Sequence, residues 1–287
     1  RVLGWLSPVM TRVMNGVSLA IYWIGAHLIN SGETDYATVT SFMMLASQII
    51  MSFMMLMMMF VLMPRAQVSA GRIHEVLNSS SDVIDPQTET PTAETGTVEF
   101  RNVSFGYGKG EEEVLGNISF RAEKGQTIAF IGATGSGKTT LVNLVPRFYD
   151  ATAGEVLVDG VNVKELKQET LRKKIGIVPQ KGILFSGSVK ENIAFSDPSI
   201  PQETIEEAAK IAEADPFIRE MPEGYDSPIS QGGKNVSGGQ KQRLCIARAI
   251  ATGAEILIFD DSFSALDYKT DRKVRENLAE YAKGTTK

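Results

Sequence analysis

The stretch from Val39 to Met63 constrains this chain more than any other feature, because it contains no charged side chain. A helix of about 20 apolar residues is long enough to cross a bilayer. The earlier stretch Val13–Ile29 is also uncharged, and the polar turn Asn30–Tyr36 joins the two. The pattern predicts a transmembrane α-helical hairpin. A buried hairpin in a soluble protein is the alternative, and uncharged runs of this length disfavour it.

Basic residues flank the predicted hairpin on one side. Arg1 and Arg12 lie beside or within the first segment, whereas Arg65 and Arg72 follow the second. Positive charge marks the cytoplasmic side of a membrane helix, so we expect the acidic turn to face outward. A charged side chain in lipid is costly, so we expect Arg12 to lie near the interface or to face a polar cavity.

Composition changes sharply after the second segment. Beyond Ala66 the chain is rich in charged residues, and residues 78–96 are polar with Pro86 and Pro91 as breakers, which predicts a linker before a second domain. The net charge of -5 disfavours nucleic acid as a partner. The single cysteine, Cys245, excludes an intrachain disulfide, and its apolar neighbours predict a buried, inert thiol.

A glycine-rich segment follows the strand-like run Thr127–Ile131 and precedes a helix-forming stretch. This context predicts a phosphate-binding loop whose backbone N–H groups surround the phosphates of a nucleotide. Lys138 would reach the β- and γ-phosphates, and the Thr139 hydroxyl would bind Mg²⁺. The expected nucleotide-binding residues are Gly132, Ala133, Thr134, Gly135, Ser136, Gly137, Lys138, Thr139 and Thr140. Alone, the loop does not separate kinases, GTPases and motor proteins.

A second strand-like run ends in two acidic residues. The apolar segment from Glu255 to Phe259 is typical of a buried parallel strand, and Asp260 and Asp261 follow it. Ligands gather at the carboxyl edge of such sheets, so we expect Asp260 to hold Mg²⁺. Earlier strand-like runs cover Val98–Phe105 and Ile118–Ala122.

The segment Val236-Ser-Gly-Gly-Gln240, followed by Lys241–Ala249, resembles the signature of ABC ATPases. The resemblance implies that the signature opens a helix and contacts the γ-phosphate of an ATP held by the opposite subunit, a further anion site at a helix N-terminus. The residues implied are Ser237, Gly238, Gly239 and Gln240.

Three more segments resemble motifs of the same family. Gly176–Gln180 resembles its Q-loop, which implies that Gln180 contacts Mg²⁺ and takes part in catalysis with Lys138. Ser264–Asp267 resembles its D-loop, and Val103–Tyr107 resembles the stretch whose aromatic ring stacks on adenine. The implied cofactors are ATP and Mg²⁺.

The resemblance extends over the whole chain to exporter-type half-transporters, in which membrane and nucleotide-binding domains are fused. It implies that residues 1–77 are the C-terminal part of a six-helix transmembrane domain, with its last two helices and a cytosolic extension. The linker 78–96 follows, and residues 97–287 would be an ABC nucleotide-binding domain truncated before the family's switch histidine. That domain would be an α/β P-loop NTPase fold with an antiparallel β portion, a mainly parallel core sheet and a helical subdomain around Pro201–Met221.

One residue departs from the family pattern. Asp261 stands where active ABC ATPases usually carry the glutamate that acts as general base. Its carboxylate is shorter by one C–C bond, about 1.5 Å. Misplacing a catalytic group by ~1 Å costs on the order of 100-fold in rate, so we expect slow hydrolysis. Such a site resembles the degenerate half of a heterodimeric exporter. A homodimer in which Asp261 is an adequate base is the alternative.

The resemblance therefore implies an ATP-binding membrane subunit of an ABC exporter, which couples MgATP binding and hydrolysis to export of a small amphipathic or lipid-like substrate. Its implied partners are a second half-transporter subunit, membrane lipid and hydrophobic small-molecule cargo, without nucleic acid. The expected location is a bacterial cell membrane, with the nucleotide domain in the cytoplasm. The alternatives are a regulatory ATP-binding subunit with little hydrolysis, and a soluble ABC ATPase of DNA repair or chromosome maintenance, a class without a membrane hairpin.

Overall fold

A computed structural model describes the backbone of residues 2–108 and 112–287, and the side chains within those ranges from Pro8 onward. Arg1, expected beside the first helix, lies outside the described residues. The chain divides into two compact units, Arg1–Ser80 and Ser81–Lys287.

The first unit is helical. Helix α1 spans Val2–Asn30, and α2 spans Tyr36–Leu77 and continues through Pro64. The Asp35 carboxylate caps α2 by accepting a hydrogen bond from the Thr38 amide nitrogen at 3.1 Å. In the part of the chain that the structure describes, α2 alone is long and apolar enough to cross a bilayer.

The second unit begins with an antiparallel sheet, as expected. Its strands are β1 (Val98–Phe105), β2 (Leu115–Ala122), β3 (Ala153–Val158) and β4 (Val161–Asn162), in the order β2-β1-β3-β4. Alternating apolar residues of β1 face a core cluster that includes the buried side chains of Phe100, Val156 and Leu144. An antiparallel sheet of this kind packs one face against the core, and its opposite face can remain in water.

The second sheet consists of two parallel strands, β5 (Ile175–Val178) and β8 (Ile256–Phe259), where a mainly parallel core sheet was expected. Two short strands, β6 (Gly187–Ser188) and β7 (Pro228–Ile229), pair with each other in antiparallel fashion. The helices are α3 (Lys138–Leu144), α4 (Gln168–Lys173), α5 (Val189–Ile193), α6 (Gln202–Ile211), α7 (Asp215–Glu220), α8 (Gly238–Ala251) and α9 (Tyr268–Tyr281). Helices α6 and α7 occupy the position of the expected helical subdomain.

The strand predicted at Thr127–Ile131 is wrong: these residues, all described, form no strand. The Ile128 amide nitrogen donates to the Lys287 carbonyl at 2.8 Å, and the Lys287 amide nitrogen donates to the Gln126 carbonyl at 2.9 Å. A strand is assigned from a run of hydrogen bonds to a neighbouring strand, and these two bonds do not make residues 127–131 a strand.

Most of the expected linker belongs to the second unit, which begins at Ser81. Arg147, a buried residue, donates from Nη2 to the Ile84 carbonyl at 3.1 Å, and the Gln168 amide nitrogen donates to Asp85 Oδ1 at 3.0 Å. Ile84 and Asp85 of the expected linker are therefore hydrogen-bonded to residues more than 60 positions away in the sequence.

Candidate functional site

The glycine-rich loop ends in α3. Gly135 and Gly137 have φ of 83° and 85°, a left-handed conformation that favours glycine, and Gly137 immediately precedes the helix. Lys138 Nζ donates to the carbonyl oxygens of Gly132 at 2.8 Å and Ala133 at 2.7 Å. The ammonium group is thereby hydrogen-bonded to the loop that leads into α3, and the N-terminus of a helix carries positive potential that favours an anion.

Two oxygen-bearing side chains meet where α3 approaches the end of β8. Thr139 Oγ1 donates to Asp260 Oδ1 at 3.0 Å. A hydroxyl and a carboxylate are hard oxygen ligands of the kind that Mg²⁺ prefers, together with waters and phosphate oxygens. The residues present therefore fit a magnesium ion next to the phosphate loop.

Asp261 and Gln180 form a second polar pair beside the first. Strands β5 and β8 pair in parallel with Val178 opposite Phe259, so the residues that follow each strand come together. Gln180 Nε2 donates to Asp261 Oδ2 at 3.2 Å. Asp261 has a φ of 46°, which is uncommon for a residue other than glycine and which aspartate tolerates better than most.

These side chains line one open cavity of about 800 Å³ that extends along β8 to residues 127–130. Of the predicted site residues, its lining contains Gly132, Thr134, Gly135, Gly137, Lys138, Thr139, Thr140, Gln180, Asp260 and Asp261. Tyr107, Ala133, Ser136, Ser237, Gly238, Gly239 and Gln240 lie outside the lining of this cavity as the structure describes it.

The signature residues lie at the start of α8. Ser237 Oγ accepts from the Gln240 amide nitrogen at 3.2 Å, and Gln240 Oε1 accepts from the Ser237 amide nitrogen at 2.9 Å. This reciprocal capping box sets the first turn of a 14-residue helix. Contact between the signature and an ATP of an opposite subunit stays a prediction.

Tyr107 contacts two residues, the predicted site residue Thr140 and Tyr149, which the sequence analysis did not identify. Its hydroxyl shares a hydrogen bond of 2.9 Å with Thr140 Oγ1, and its ring meets that of Tyr149 with centroids 5.2 Å apart and an angle of 89° between ring planes. Tyr149 belongs to no motif, so nothing in the sequence marks it as a neighbour of Tyr107.

Cys245 is buried in α8, which confirms the prediction of a buried thiol. Burial raises the pKa of this thiol, because the charged thiolate is disfavoured away from water.

Comparison with known proteins relates this chain to a large set of relatives. Residues 115–264 match the ABC transporter family. The chain is 41% identical over 274 residues to the uncharacterized ABC transporter ATP-binding protein YfiB of Bacillus subtilis, covering 96% of this chain and 48% of that one. It is 37% identical over 264 residues to the leukotoxin translocation ATP-binding protein LktB of Mannheimia haemolytica, covering 92% of this chain and 37% of that one.

One solved structure is similar to this chain in fold and in sequence. A bacterial Atm1-family ABC exporter with ATP bound matches with a TM-score of 0.72 and 32% identity, over 86% of this chain and 43% of that chain. The chain spans about half the length of YfiB and less of LktB. Because the family match covers residues 115–264, it includes the glycine-rich loop, the signature and both aspartates that follow β8. The chain belongs to the ABC transporter family.

Proposed function

We propose that this chain is the ATP-binding and membrane part of an exporter subunit, which couples MgATP binding and hydrolysis to export of a small amphipathic or lipid-like substrate. The main support for this proposal is that Lys138, Thr139 and Asp260 line the same cavity and that Thr139 is hydrogen-bonded to Asp260. The long apolar helix α2 in the same chain supports work at a membrane. Helix α2 also disfavours the alternative in which this chain is a soluble ABC ATPase of DNA repair or chromosome maintenance.

Each residue at the cavity has a separate task in this proposal. Lys138 and the loop N–H groups bind the phosphates, while Thr139 and Asp260 hold the metal ion. Mg²⁺, when bound, supplies positive charge that offsets the negative charge developing on the transferred phosphoryl group. Water attacks the γ-phosphorus, the bond to the β-phosphate oxygen breaks, and the products are ADP and inorganic phosphate.

Asp261 is the proposed general base, oriented by Gln180. Its carboxylate accepts a proton from the attacking water, and the 3.2 Å hydrogen bond from Gln180 Nε2 restrains its rotation. The short side chain supports slow hydrolysis, because a base displaced by ~1 Å costs on the order of 100-fold in rate.

ABC exporters work as dimers, and we propose a second half-transporter subunit as the partner. A slow site at Asp261, combined with an intact signature from Ser237 to Gln240, supports a heterodimer in which this chain completes its partner's faster site. A homodimer is the alternative. The proposed location is a bacterial cell membrane, with the nucleotide unit in the cytoplasm, and the further partners are membrane lipid and a hydrophobic small-molecule cargo. The name of LktB refers to leukotoxin translocation, which is a property of that relative. The small amphipathic cargo proposed for this chain follows from its resemblance to exporters, because fold and motif alone do not define cargo.

Single-turnover ATP hydrolysis tests this proposal. The full-length protein is measured alone and with its co-encoded candidate partner, comparing the native chain with Asp261→Glu. A strong rise in the rate with Asp261→Glu supports the degenerate site and the heterodimer. Brisk hydrolysis by the native chain alone identifies Asp261 as a competent base and favours the homodimer.

A regulatory subunit with little hydrolysis is the second candidate, and Asp261 is the observation that favours it. A transport assay on the full heterodimer separates the two. If Lys138→Ala abolishes transport, nucleotide at this site is required for the transport cycle. If transport persists at the native rate, the site is regulatory.

A further inference from the structure

The linker segment formed by residues 84–90 is hydrogen-bonded close to the end of α3, the helix that follows the glycine-rich loop. Arg147, three positions after the last residue of α3, donates from Nη2 to the Ile84 carbonyl at 3.1 Å. We propose that Arg147, Asp85 and Glu89 are positioning residues that dock this segment, so that nucleotide binding and linker docking strengthen each other. This inference rests on the proposed function, because it concerns the MgATP that the loop would bind.

Arg147 needs the linker to satisfy its buried charge. The residue is 3% exposed, and its Nε pairs with Asp150 Oδ1 at 2.8 Å. Its Nη1 has no hydrogen-bond partner among the described residues, so the guanidinium depends on Asp150 and on the Ile84 carbonyl. A buried charge that loses a partner is strongly destabilising. Undocking of the linker would therefore disturb the position of Arg147.

The backbone of Arg147 is tied to α3. Its amide nitrogen donates to the Leu144 carbonyl at 3.2 Å, and its φ of 53° is uncommon for a residue other than glycine. Helix α3 has seven residues and begins at Lys138, so it is only about 10 Å long at a rise of ~1.5 Å per residue. Phosphate bound at its first turn would restrain its far end, and with it the guanidinium that holds the linker.

Two linker carboxylates cap the start of α4. Asp85 Oδ1 accepts from the Gln168 amide nitrogen at 3.0 Å, and Glu89 Oε1 accepts from the Lys167 amide nitrogen at 3.2 Å. Lys167 is the N-cap residue of α4, and its own side chain makes no capping hydrogen bond. N–H groups at the start of a helix lack partners within the helix, and negative charge is favourable there. The linker therefore supplies the cap that α4 lacks.

The two attachments of the linker are joined to each other. Arg172 of α4 donates from Nε to the Pro146 carbonyl and from Nη2 to the Arg147 carbonyl, both at 3.2 Å. The linker, the segment after α3 and the start of α4 therefore form one hydrogen-bonded cluster. A shift of α3 on nucleotide binding would be transmitted to both attachments.

Reciprocity separates this coupling from a purely structural linker. If nucleotide strengthens docking by a given factor, docking must strengthen nucleotide binding by the same factor. A linker that only adds stability would be docked equally with and without nucleotide. Its removal would then lower the melting temperature and leave the affinity for MgATP unchanged.

Hydrogen–deuterium exchange of the full-length protein in detergent measures docking with and without MgATP. The Thr90 amide nitrogen reports on the docked linker, because it donates to the Glu165 carbonyl at 3.2 Å. The Lys167 and Gln168 amide nitrogens report on the two linker carboxylates. We expect MgATP to slow exchange at these amides by at least about 5-fold, the lower end of typical coupling between sites.

Calorimetric titration with MgATP measures the reciprocal effect. The double variant Asp85→Ala, Glu89→Ala removes both caps, so we expect fast exchange at Thr90 and MgATP affinity lowered by at least about 5-fold. Asp85→Asn, Glu89→Gln keeps the acceptor oxygens and should recover most of that affinity. Asp82→Ala is the matched control and should be native, because the exposed Asp82 carboxylate makes no hydrogen bond or ion pair with any described residue.

Arg147→Lys tests the attachment near α3. Lysine keeps the charge and lacks the planar fork, so we expect faster exchange at Thr90 and weaker MgATP binding here too. Exchange that MgATP does not change, a double variant with native exchange, or native MgATP affinity once the linker is undocked would each overturn the inference and leave nucleotide binding intact. A native chain that does not bind MgATP would overturn the proposed function as well.

Discussion

The two units place the same kinds of apolar side chain in opposite environments. In the second unit Leu244, Ile246 and Phe100 are 0%, 0% and 1% exposed, inside two buried clusters. In the first unit α2 buries no residue, and Met55 and Phe60 are 78% and 76% exposed. Exposed apolar surface of this extent in a soluble monomer would be unusual and normally marks a membrane or protein interface. Apolar composition therefore builds an interior in one unit and an outward-facing surface in the other.

A matched pair of truncations should show the largest difference between the units. Leu244→Ala empties space in a closed core, so we expect the free energy of unfolding to fall by about 2–5 kcal/mol. Leu56→Ala removes the same atoms from a side chain that is 52% exposed, and we expect less than about 1 kcal/mol. Thermal unfolding of the full-length protein in detergent, followed by circular dichroism, measures both. Equal losses would contradict the assignment of Leu56 to an outward-facing surface.

Lys138→Ala tests whether nucleotide chemistry belongs to the second unit. Hydrogen bonds to charged groups contribute about 1.5–3 kcal/mol, so we expect MgATP affinity to fall by about 10- to 150-fold. Lys173→Ala is the matched control, because Lys173 pairs with Glu169 on an exposed helix surface where ion pairs contribute little. Calorimetric titration with MgATP compares them. Native affinity in Lys138→Ala would place the nucleotide elsewhere.

Gly25→Ala tests how the helices of the first unit pack. A Cβ added at Gly25 would lie 2.5 Å from Val39 Cγ1, so α1 and α2 would have to separate at this point. We expect a loss of about 1–3 kcal/mol from overpacking, measured as a lower melting temperature in detergent.

Two further variants interpret that loss. Gly16→Ala has nothing within 4 Å of the added atom, so it should be neutral or slightly stabilising. Val39→Ala in the Gly25→Ala background should recover part of the lost stability. An unchanged melting temperature in Gly25→Ala alone would mean that the two helices do not approach each other at Gly25.

Cys245 gives the smallest expected effect. Burial raises the pKa of its thiol, so at neutral pH very little thiolate is present and its reaction with a disulfide reagent should be slow in the native protein. Reaction should become fast in denaturant. Lys190→Cys in a Cys245→Ser background places a thiol at an exposed position and should react quickly without denaturant. Fast labelling of native Cys245 would mean that the core around α8 opens readily.

Local sequence patterns predicted those parts of the fold that depend on neighbouring residues. Strands β1 and β2 and the glycine-rich loop before α3 lie where the sequence patterns indicated, whereas α6 and α7 lie where the family resemblance implied a helical subdomain. The strand at Thr127–Ile131 was predicted from its apolar run and does not form, because pairing is a property of two segments. The hydrogen bonds between Ile84 and Arg147 and between Asp85 and Gln168 were hidden for the same reason, since their partners are distant along the chain.

The sequence by itself determined the chemistry available to this protein: an uncharged stretch long enough for a bilayer, a loop of glycines ending in Lys138 and Thr139, and an aspartate at position 261. Only the tertiary structure decided which of these groups meet. Pairing of β5 with β8 brings Gln180 to Asp261, and the approach of α3 to β8 brings Thr139 to Asp260. The physical reason is that side-chain identity and local periodicity are written in order along the chain, whereas contacts between distant segments follow from how buried surfaces pack.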